Sequence, residues 1–443
     1  MKKAVLVSIV IPVFNNAERL RNCLSVLKQV VNSEIQVVII DDGSTDDSPM
    51  VAAEFSNEFD NFTFHRIYEN GGVGNARNIG LKLSLGSYLY FLDCDDTVTG
   101  NFSDALMSEL KSNADLVFTP RKQLPSGDSN SSILDRLTHE PNKGREYLLL
   151  SLERFEMWPL ECWGFFFRRA FLINNQISFE QIRISEDMVF MTWVYSKLNF
   201  YTVVHDLVYT HHRTPGSLGK SFSNHDVESW FFAFLGVSNL AKEVSLGSSE
   251  SRVILNRLKY SFAYVLISFL LIGPLGKKAF LTRAKGSQGM FLLANLAGVK
   301  ADQGHAESDI FEKFLDKISI NVKKLLNQVG PGKTYLYCYD RLSLGVFEIL
   351  KTLNFEVDGI IDDHCREVLA SAEFGISPFS PSILDEELME NDTVIVCHDK
   401  HSVFTLKQKQ LKSFQQRGLQ IIKFTTEDLV GDLPFEQLFN KNF

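Results

Sequence analysis

The sequence predicts an α/β protein with a mostly parallel sheet in its first half, a helical middle region and a second α/β domain at its end. Three observations carry this. Apolar runs of strand length alternate with helical repeats, polar clusters fall just after the apolar runs, and the alternation pauses between about residues 224 and 328. The boundaries so read are 1–223, 224–328 and 329–443, in keeping with about three domains for a chain of this length.

Residues 5–13 (VLVSIVIPV) form a continuous β-rich run, as in a strand buried on both faces. Asn15 or Asn16 can cap the next helix, in which Leu20, Cys23, Leu24 and Leu27 recur at helical spacing. Ile35 to Ile40 is a second strand that ends in Asp41-Asp42-Gly43-Ser44-Thr45. Asp46 or Asp47 caps a further helix, with Pro49 suited to its first turn. Phe62 to Tyr68 reads as a third strand. The glycine cluster Asn70-Gly71-Gly72-Val73-Gly74 then opens a helix containing Ala76, Arg77, Asn78 and Leu81. A fourth apolar run, from Tyr88 to Leu92, stops at Asp93, Asp95 and Asp96. Strands alternating with helices imply right-handed crossovers, and such sheets take ligands beyond the carboxyl ends of their strands. The polar clusters should therefore meet in one cleft.

That cleft has the parts for a nucleotide diphosphate. Carboxylates crowded at a strand end repel and raise one another's pKa unless a cation lies among them. Oxygen ligands of this kind suit Mg²⁺ or Mn²⁺, which share remaining positions with water and substrate phosphates. Asp42 can accept from a base N–H, glycines let backbone approach phosphate, and Arg77 offers a charge-assisted fork. The plainer alternatives are an acidic turn with Asp96 as a helix cap, an ordinary glycine turn and a surface arginine. A nicotinamide-type dinucleotide site is excluded, because Pro-Val-Phe-Asn follows the first strand where G-x-G-x-x-G is required.

Composition narrows the partners. The hydrophobic fraction of 45% and charged fraction of 22% are those of a soluble globular protein. A net charge of −9 speaks against nucleic acid, which wants a basic surface. The six cysteines are scattered without a CxxC pair, as expected of reduced thiols in the cytoplasm. Met1-Lys2-Lys3 and the short apolar segment after it are expected to lead into the first strand and not to form a secretion signal. Phe262 to Gly273 is uniformly apolar with basic flanks, but shorter than the roughly 20 residues of a spanning helix. A buried core helix is expected there, over one lying on an anionic membrane surface.

Four ordered motifs carry a resemblance. Ser8-Ile9-Val10-Ile11-Pro12-Val13-Phe14-Asn15, Asp41-Asp42-Gly43-Ser44-Thr45-Asp46, Asn70-Gly71-Gly72-Val73-Gly74-Asn75-Ala76-Arg77-Asn78-Ile79-Gly80 and Phe91-Leu92-Asp93-Cys94-Asp95-Asp96 closely resemble family 2 glycosyltransferases of the GT-A fold, over the first half of the chain. The resemblance implies an inverting transferase that moves a sugar from a nucleotide-diphosphate donor to an acceptor hydroxyl. It implies Pro12, Phe14, Asp42, Gly71, Gly72, Arg77 and Asp93 as nucleotide-binding residues, and Asp95, Asp96 and His212 as ligands of Mn²⁺ or Mg²⁺. Which carboxylate meets the metal directly the pattern leaves open.

Family members also carry an acidic pair that opens a helix and supplies the catalytic base. Ser185-Glu186-Asp187-Met188-Val189-Phe190 resembles it, preceded by Trp163-Gly164 and a strand-like segment. By that resemblance Asp187 is the base, with Glu186 orienting it or binding the acceptor. A carboxylate held at a helix start is rigidly placed for proton abstraction, and the same pair also suits the helix dipole. Tyr209 to Ser217 resembles the family's closing segment, in which His211, His212 or Arg213 could touch the diphosphate or metal. Pro215 to Ser223 would be a lid over bound donor, and Gln123 to Ser132 reads as a surface loop.

The aromatic-rich helical region holds no recognisable chemistry. Acceptor binding, peripheral membrane contact and homo-oligomerisation are the roles open to it. In the last part, Thr334 to Tyr339, Glu356 to Ile361, Thr393 to Cys397 and Gln420 to Phe424 read as strands, with helices at Leu342 to Leu353 and Ser402 to Gln416. Gly332-Lys333-Thr334 is not a P-loop, because it precedes a strand and Asn327 stands at the first glycine position. The segment loosely resembles Rossmann-like domains found beside sugar-modifying enzymes.

The expectation is thus a cytoplasmic, metal-dependent, inverting glycosyltransferase, working at the inner face of the membrane if its acceptor is lipid-linked. Its donor is a nucleotide-diphosphate sugar, a UDP-sugar first, and its acceptor a glycan or lipid-linked glycan of surface polysaccharide synthesis. The alternatives are a non-catalytic sugar-nucleotide scaffold, which has no need of Asp187, and a nucleotidyltransferase. The latter would want a glycine-rich basic loop in place of Val13-Phe14-Asn15-Asn16.

Overall fold

The structure is a computed structural model. It describes residues 4–102, 104–124, 161–182, 186–212, 224–242, 244–272, 274–285, 288–298, 307–337, 341–361, 378–379, 388–397, 408–431 and 433–439, and individually 134, 137, 144, 145, 148 and 149. The chain divides into two compact units, Met1–Leu218 and Gly219–Phe443.

The first unit is built on β1 (Val7–Val13), β2 (Ile35–Asp42), β3 (Phe62–Ile67) and β4 (Tyr88–Phe91), joined by α1 (Ala17–Leu27), α2 (Ser48–Glu58) and α3 (Val73–Leu83). Later come β5 (Thr97–Gly100), α4 (Asp104–Leu110), β6 (Leu116–Phe118), β7 (Arg121–Leu124), β8 (Phe165–Arg168), α5 (Arg169–Asn174), α6 (Glu186–Lys197), β9 (Tyr201–Val203) and β10 (Leu207–His212). The main sheet has the order β3-β2-β1-β4-β8-β6-β9. It is parallel from β3 to β4, β8 runs antiparallel to both its neighbours, and β6 pairs parallel with β9. The order reverses beside β1, which makes the carboxyl ends of β1 and β4 the natural ligand crevice.

Packing on the two sheet faces follows the apolar spacing. Leu20, Cys23, Leu24 and Leu27 of α1 join Val51, Ala52 and Phe55 of α2 against the inward residues of β1 and β2. On the other face, a Cβ on Gly80 of α3 would lie 2.2 Å from Val10 Cγ1, so only glycine lets α3 approach β1 this closely. Phe179 and Phe190 stack at 4.0 Å between centroids, and Phe91 meets both edge-on, at 5.2 Å and 5.9 Å. Aromatic packing of this kind ties α6 to the sheet.

Three expectations change. The strand read at Phe62 to Tyr68 ends at Ile67. Gln123 and Leu124, read as the start of a surface loop, belong to β7, which with β5 flanks β10 in a second, three-stranded sheet. β7 (RKQL) carries no apolar alternation, so its strand state comes from pairing with β10 and not from its own sequence. The cap of α1 also differs, since Asn16 makes no side-chain capping bond, while of the two candidates at the start of α2 Asp46 is used and Asp47 is not. Asp46 instead accepts from Ala17 N at 3.0 Å and from Ser48 N at 3.0 Å, serving the starts of α1 and α2 together.

The second unit holds α7 (Asn224–Ala241), α8 (Ser249–Leu271), α9 (Pro274–Ala284), α10 (Gln288–Ala297) and α11 (Glu307–Leu326). These lead into β11 (Thr334–Tyr337), α12 (Arg341–Thr352), β12 (Gly359–Ile361), β13 (Pro378–Phe379), β14 (Thr393–Cys397), α13 (Gln408–Gln416), β15 (Gln420–Phe424) and α14 (Thr426–Val430). The sheet is wholly parallel in the Rossmann-like order β13-β12-β11-β14-β15. α8 passes the length and composition test for a membrane span over Glu250–Leu271, yet 67% of that window is buried. Phe262, Val265 and Ile267 are wholly enclosed, and Ile267 packs against Gly345 of α12, as expected of a core helix. Gly332 and Lys333 lie ahead of β11, as expected. The acidic residues Asp340, Asp362 and Asp363, the lid segment 215–223 and Arg213 lie outside the described residues.

Candidate active site

The carboxyl edge of the first sheet is a set of loops laced by short polar side chains. Asn15 follows β1 with φ +49°, a left-handed conformation that asparagine tolerates. Its Oδ1 accepts from Thr45 N at 2.8 Å and Thr45 Oγ1 at 3.2 Å, while its own N–H donates to Ser44 Oγ at 2.9 Å. Asn16 N donates to Ser48 Oγ at 3.0 Å. Pro12 sits inside β1 opposite Ile40, and Phe14, two residues on, leaves 48% of its surface exposed at the strand end.

Asp42 ends β2 and is buried. Its two oxygens accept from Gly71 N at 2.9 Å and Gly72 N at 2.8 Å, and its carbonyl accepts from Asn70 Nδ2 at 3.1 Å. Burial pushes the Asp42 carboxyl up, opposed by those two backbone donors. The carboxylate thus holds the glycine loop in place. Gly72 has φ +85°, the conformation that lets the chain turn into α3.

α3 then delivers Arg77 to the centre of the site. The buried guanidinium donates through Nη1 to Glu186 at 2.7 Å and through Nη2 to Asp93 at 2.8 Å, and lies 5.3 Å from the Phe179 ring centroid. Its Nε has no hydrogen-bond partner among the described residues. One side chain therefore ties the end of β4 to the first turn of α6, 109 residues away in sequence. Two neighbours keep this register. Asn78 donates to Phe179 O at 2.8 Å and accepts from Phe179 N at 2.9 Å. A Cβ on Gly74 would lie 2.9 Å from Glu180 O and 3.3 Å from Glu186 Cγ, so glycine is needed for the approach.

The three carboxylates after β4 have different surroundings. Asp93 belongs to Arg77. Asp95 has Arg19 at 3.6 Å, and burial together with the charges of Asp96 and Asp93 pushes its carboxyl up to about 6. Asp96 is buried and committed to the protein: Tyr209 Oη donates to it, His212 N donates at 2.8 Å and His211 Nδ1 lies at 3.1 Å. His212 Nε2 meets Thr97 Oγ1 at 2.9 Å. Among the described residues, no three His, Cys, Asp or Glu side chains converge as a metal-binding group. An aromatic array backs this corner. Trp163 stacks on Tyr209 at 4.7 Å and on His211 at 5.3 Å, and the Arg121 guanidinium lies 5.0 Å from the Trp163 centroid and 3.4 Å from Glu161.

Asp187 stands beside Glu186 in the first turn of α6, with Oδ1 accepting from Met188 N at 2.8 Å. Burial, and then the charge of Glu186, push its carboxyl well above the usual carboxylate range, and Arg77 only partly offsets them. A carboxyl so raised is a stronger base when ionised than an exposed aspartate.

Residues 8–174 match the family model described as Glycosyl transferase family 2. The N-terminal unit is a family 2 glycosyltransferase domain. Its relatives include the minor teichoic acid biosynthesis protein GgaB of Bacillus subtilis, 29% identical over 233 residues, which are 51% of this chain and 25% of GgaB. The cholesterol galactosyltransferase of Borreliella burgdorferi is 27% identical over 234 residues, 49% of this chain and 63% of that one. The chain thus spans less than two thirds of the length of either relative. Among solved structures, residues 1–349 of S. aureus TarS in complex with UDP-GlcNAc superpose with a TM-score of 0.52 at 18% identity, covering 74% of this chain and 95% of TarS 1–349. The fold is GT-A.

The described residues singled out from the glycosyltransferase motifs lie at or beside this edge, but several have partners that the motifs did not announce. Asp42 holds a loop, Asp96 is enclosed by β10, and Glu186 pairs with Arg77. The array of Arg121, Glu161, Trp163 and Tyr209, the clamp of Asn78 and the proximity of Arg19 to Asp95 went unread. The sequence signal for Asn78 was its place beside Arg77. The others depend on pairings of distant strands.

Proposed function

We propose that the chain is an inverting glycosyltransferase that moves a sugar from a nucleotide-diphosphate donor, a UDP-sugar first, to an acceptor hydroxyl in bacterial surface-glycan synthesis. The observation that carries this reading is the fork of Arg77 between Asp93 and Glu186, which joins the nucleotide side of the cleft to the carboxylate pair that opens α6. Glycan-synthesis relatives such as GgaB, and the GT-A fold shared with TarS, support the substrate class.

In this reading Phe14 and Asp42 line the base pocket beside Pro12, and Gly71 and Gly72 let backbone approach the phosphates. Asp187, ionised, takes the proton of the acceptor hydroxyl as the oxygen attacks the anomeric carbon from the face opposite the diphosphate. The bond to the diphosphate oxygen breaks, and the sugar's configuration inverts. Glu186 holds Arg77 in place and faces the acceptor.

A divalent cation is supported here by one carboxylate, with no converged set of three ligands among the described residues. Burial, and then the charges of Asp96 and Asp93, raise the Asp95 carboxyl, which has Arg19 at 3.6 Å, and a cation among these groups would lower it. We assign Asp95 as the carboxylate that would hold Mn²⁺ or Mg²⁺, with Asp96 and His212 as its supports, since both oxygens of Asp96 are taken by β10. A bound cation would stabilise charge on the leaving diphosphate.

The test is calorimetric titration of UDP, GDP, CDP and dTDP into the protein with and without Mn²⁺. Mn²⁺-dependent binding of one nucleotide, UDP foremost, is the expected result. A folded protein that binds none of them would overturn this reading.

A further inference from the structure

We propose that the outward faces of α7, α9 and α10 form a docking surface for an anionic lipid bilayer. The three helices meet around Phe231 of α7. Its ring lies 5.5 Å from Phe280 of α9, and a Cβ on Gly289 of α10 would lie 2.3 Å from its Cζ. Their inward faces are therefore used up in packing.

Their outward faces have an unusual composition for this chain. On α9, Phe280 and Ala284 are buried four residues apart, while Leu275, Lys278, Ala279 and Thr282 are exposed at i, i+3, i+4 and i+7, a single helical face. Leu275 exposes 84% of its surface, Phe291 of α10 56% and Phe232 of α7 48%. Each helix thus presents one large apolar side chain to solvent. From Pro274 to Ala301 the sequence holds Lys277, Lys278, Arg283, Lys285 and Lys300 and no Asp or Glu, in a chain whose net charge is −9. Lys277 lies over the Phe269 ring at 5.3 Å, and Lys278 and Lys285 are exposed.

Single protruding Leu and Phe side chains among lysines match the chemistry of a membrane interface. The apolar tips enter the acyl boundary while the ammonium groups meet anionic headgroups. A permanent chain–chain contact would instead favour a continuous apolar patch. The apolar helix α8 is 67% buried in its most apolar window, so the proposed contact is made by α7, α9 and α10 and not by α8. The inference is independent of the proposed reaction, because it is read without donor or acceptor.

The test is cosedimentation of the full chain with vesicles of equal parts phosphatidylglycerol and phosphatidylcholine, against vesicles of phosphatidylcholine alone. Binding to the anionic vesicles at about 0.1 M salt, and its loss at about 1 M, is expected. Lys278→Glu with Lys285→Glu should weaken it about tenfold or more, and Leu275→Ser with Phe291→Ser by a similar factor. All four positions are exposed, so the melting temperature should stay unchanged. Equal binding to both vesicle types, no binding to anionic vesicles at low salt, or unaltered binding of the variants would each overturn the proposal. So would sedimentation velocity showing a wild-type dimer that Leu275→Ser with Phe291→Ser dissociates, which would make the face a chain–chain interface.

Discussion

The mixed first sheet and the wholly parallel second sheet share the order of their first four strands, and among the described residues two sets of carboxylates sit at opposite strand ends. In the first sheet Asp41 and Asp42 end β2 and Asp93 comes after β4, at the edge where ligands bind in such sheets. Among the described residues of the second sheet, the carboxylates with backbone partners come before the strands. Asp358 precedes β12 and accepts from Thr334 N at 2.8 Å. Asp392 precedes β14 and accepts from Lys333 N at 2.8 Å and Met389 N at 2.9 Å. The second set closes loops ahead of its strands by accepting from main-chain N–H groups. Beside the first set, Arg77 and Asp95 keep unmet capacity: an Nε without a hydrogen-bond partner among the described residues, and a carboxyl raised by burial and by its neighbours. Buried charge of that kind is poor fold engineering and good site engineering.

The largest effect expected on this contrast is from Asp187→Asn, which should cut turnover by about 10²- to 10⁴-fold while nucleotide affinity stays within about twofold. Turnover near wild type would remove Asp187 as the base. Because burial raises its pKa, Asp187 must lose a proton to act. Turnover should therefore rise with pH through a midpoint above the usual carboxylate range, and a flat profile there would break the assignment. The same sign makes the neutral form the one the fold favours, so the Asn variant should be no less stable at neutral pH.

Arg77→Met should cost about 3–5 kcal/mol in urea unfolding, because it leaves the buried Glu186 and the partly exposed Asp93 without their cation. A loss under about 1 kcal/mol would mean the fork is not structural. Asp42→Ala strips the acceptors from Gly71 and Gly72, and calorimetry should record about tenfold weaker nucleotide binding. Asp392→Ala in the second sheet should cost about 1–3 kcal/mol in stability with turnover per folded molecule unchanged. If turnover fell with the fold intact, the contrast between the sheets would fail. The smallest effect belongs to Gly72→Ala. No atom lies within 4 Å of the added Cβ, so the left-handed backbone alone costs about 1–2 kcal/mol in the melt.

Much of this was legible in the chain itself. Continuous apolar runs such as Ile35 to Ile40 can only be strands buried on both faces, and their alternation with α1, α2 and α3 determined a parallel sheet and the edge at which Asp42, Arg77 and Asp93 would meet. The sequence also determined that α6 opens with Glu186 and Asp187. What only the tertiary structure decided was who holds whom. Asp46 caps a helix from another loop, β7 becomes a strand because β10 lies beside it, and Asp96 gains Tyr209 as a partner. The physical reason is reach. Burial and periodicity are written locally in the chain, whereas a hydrogen bond between residues about a hundred positions apart exists only once the sheet has brought its strand ends together.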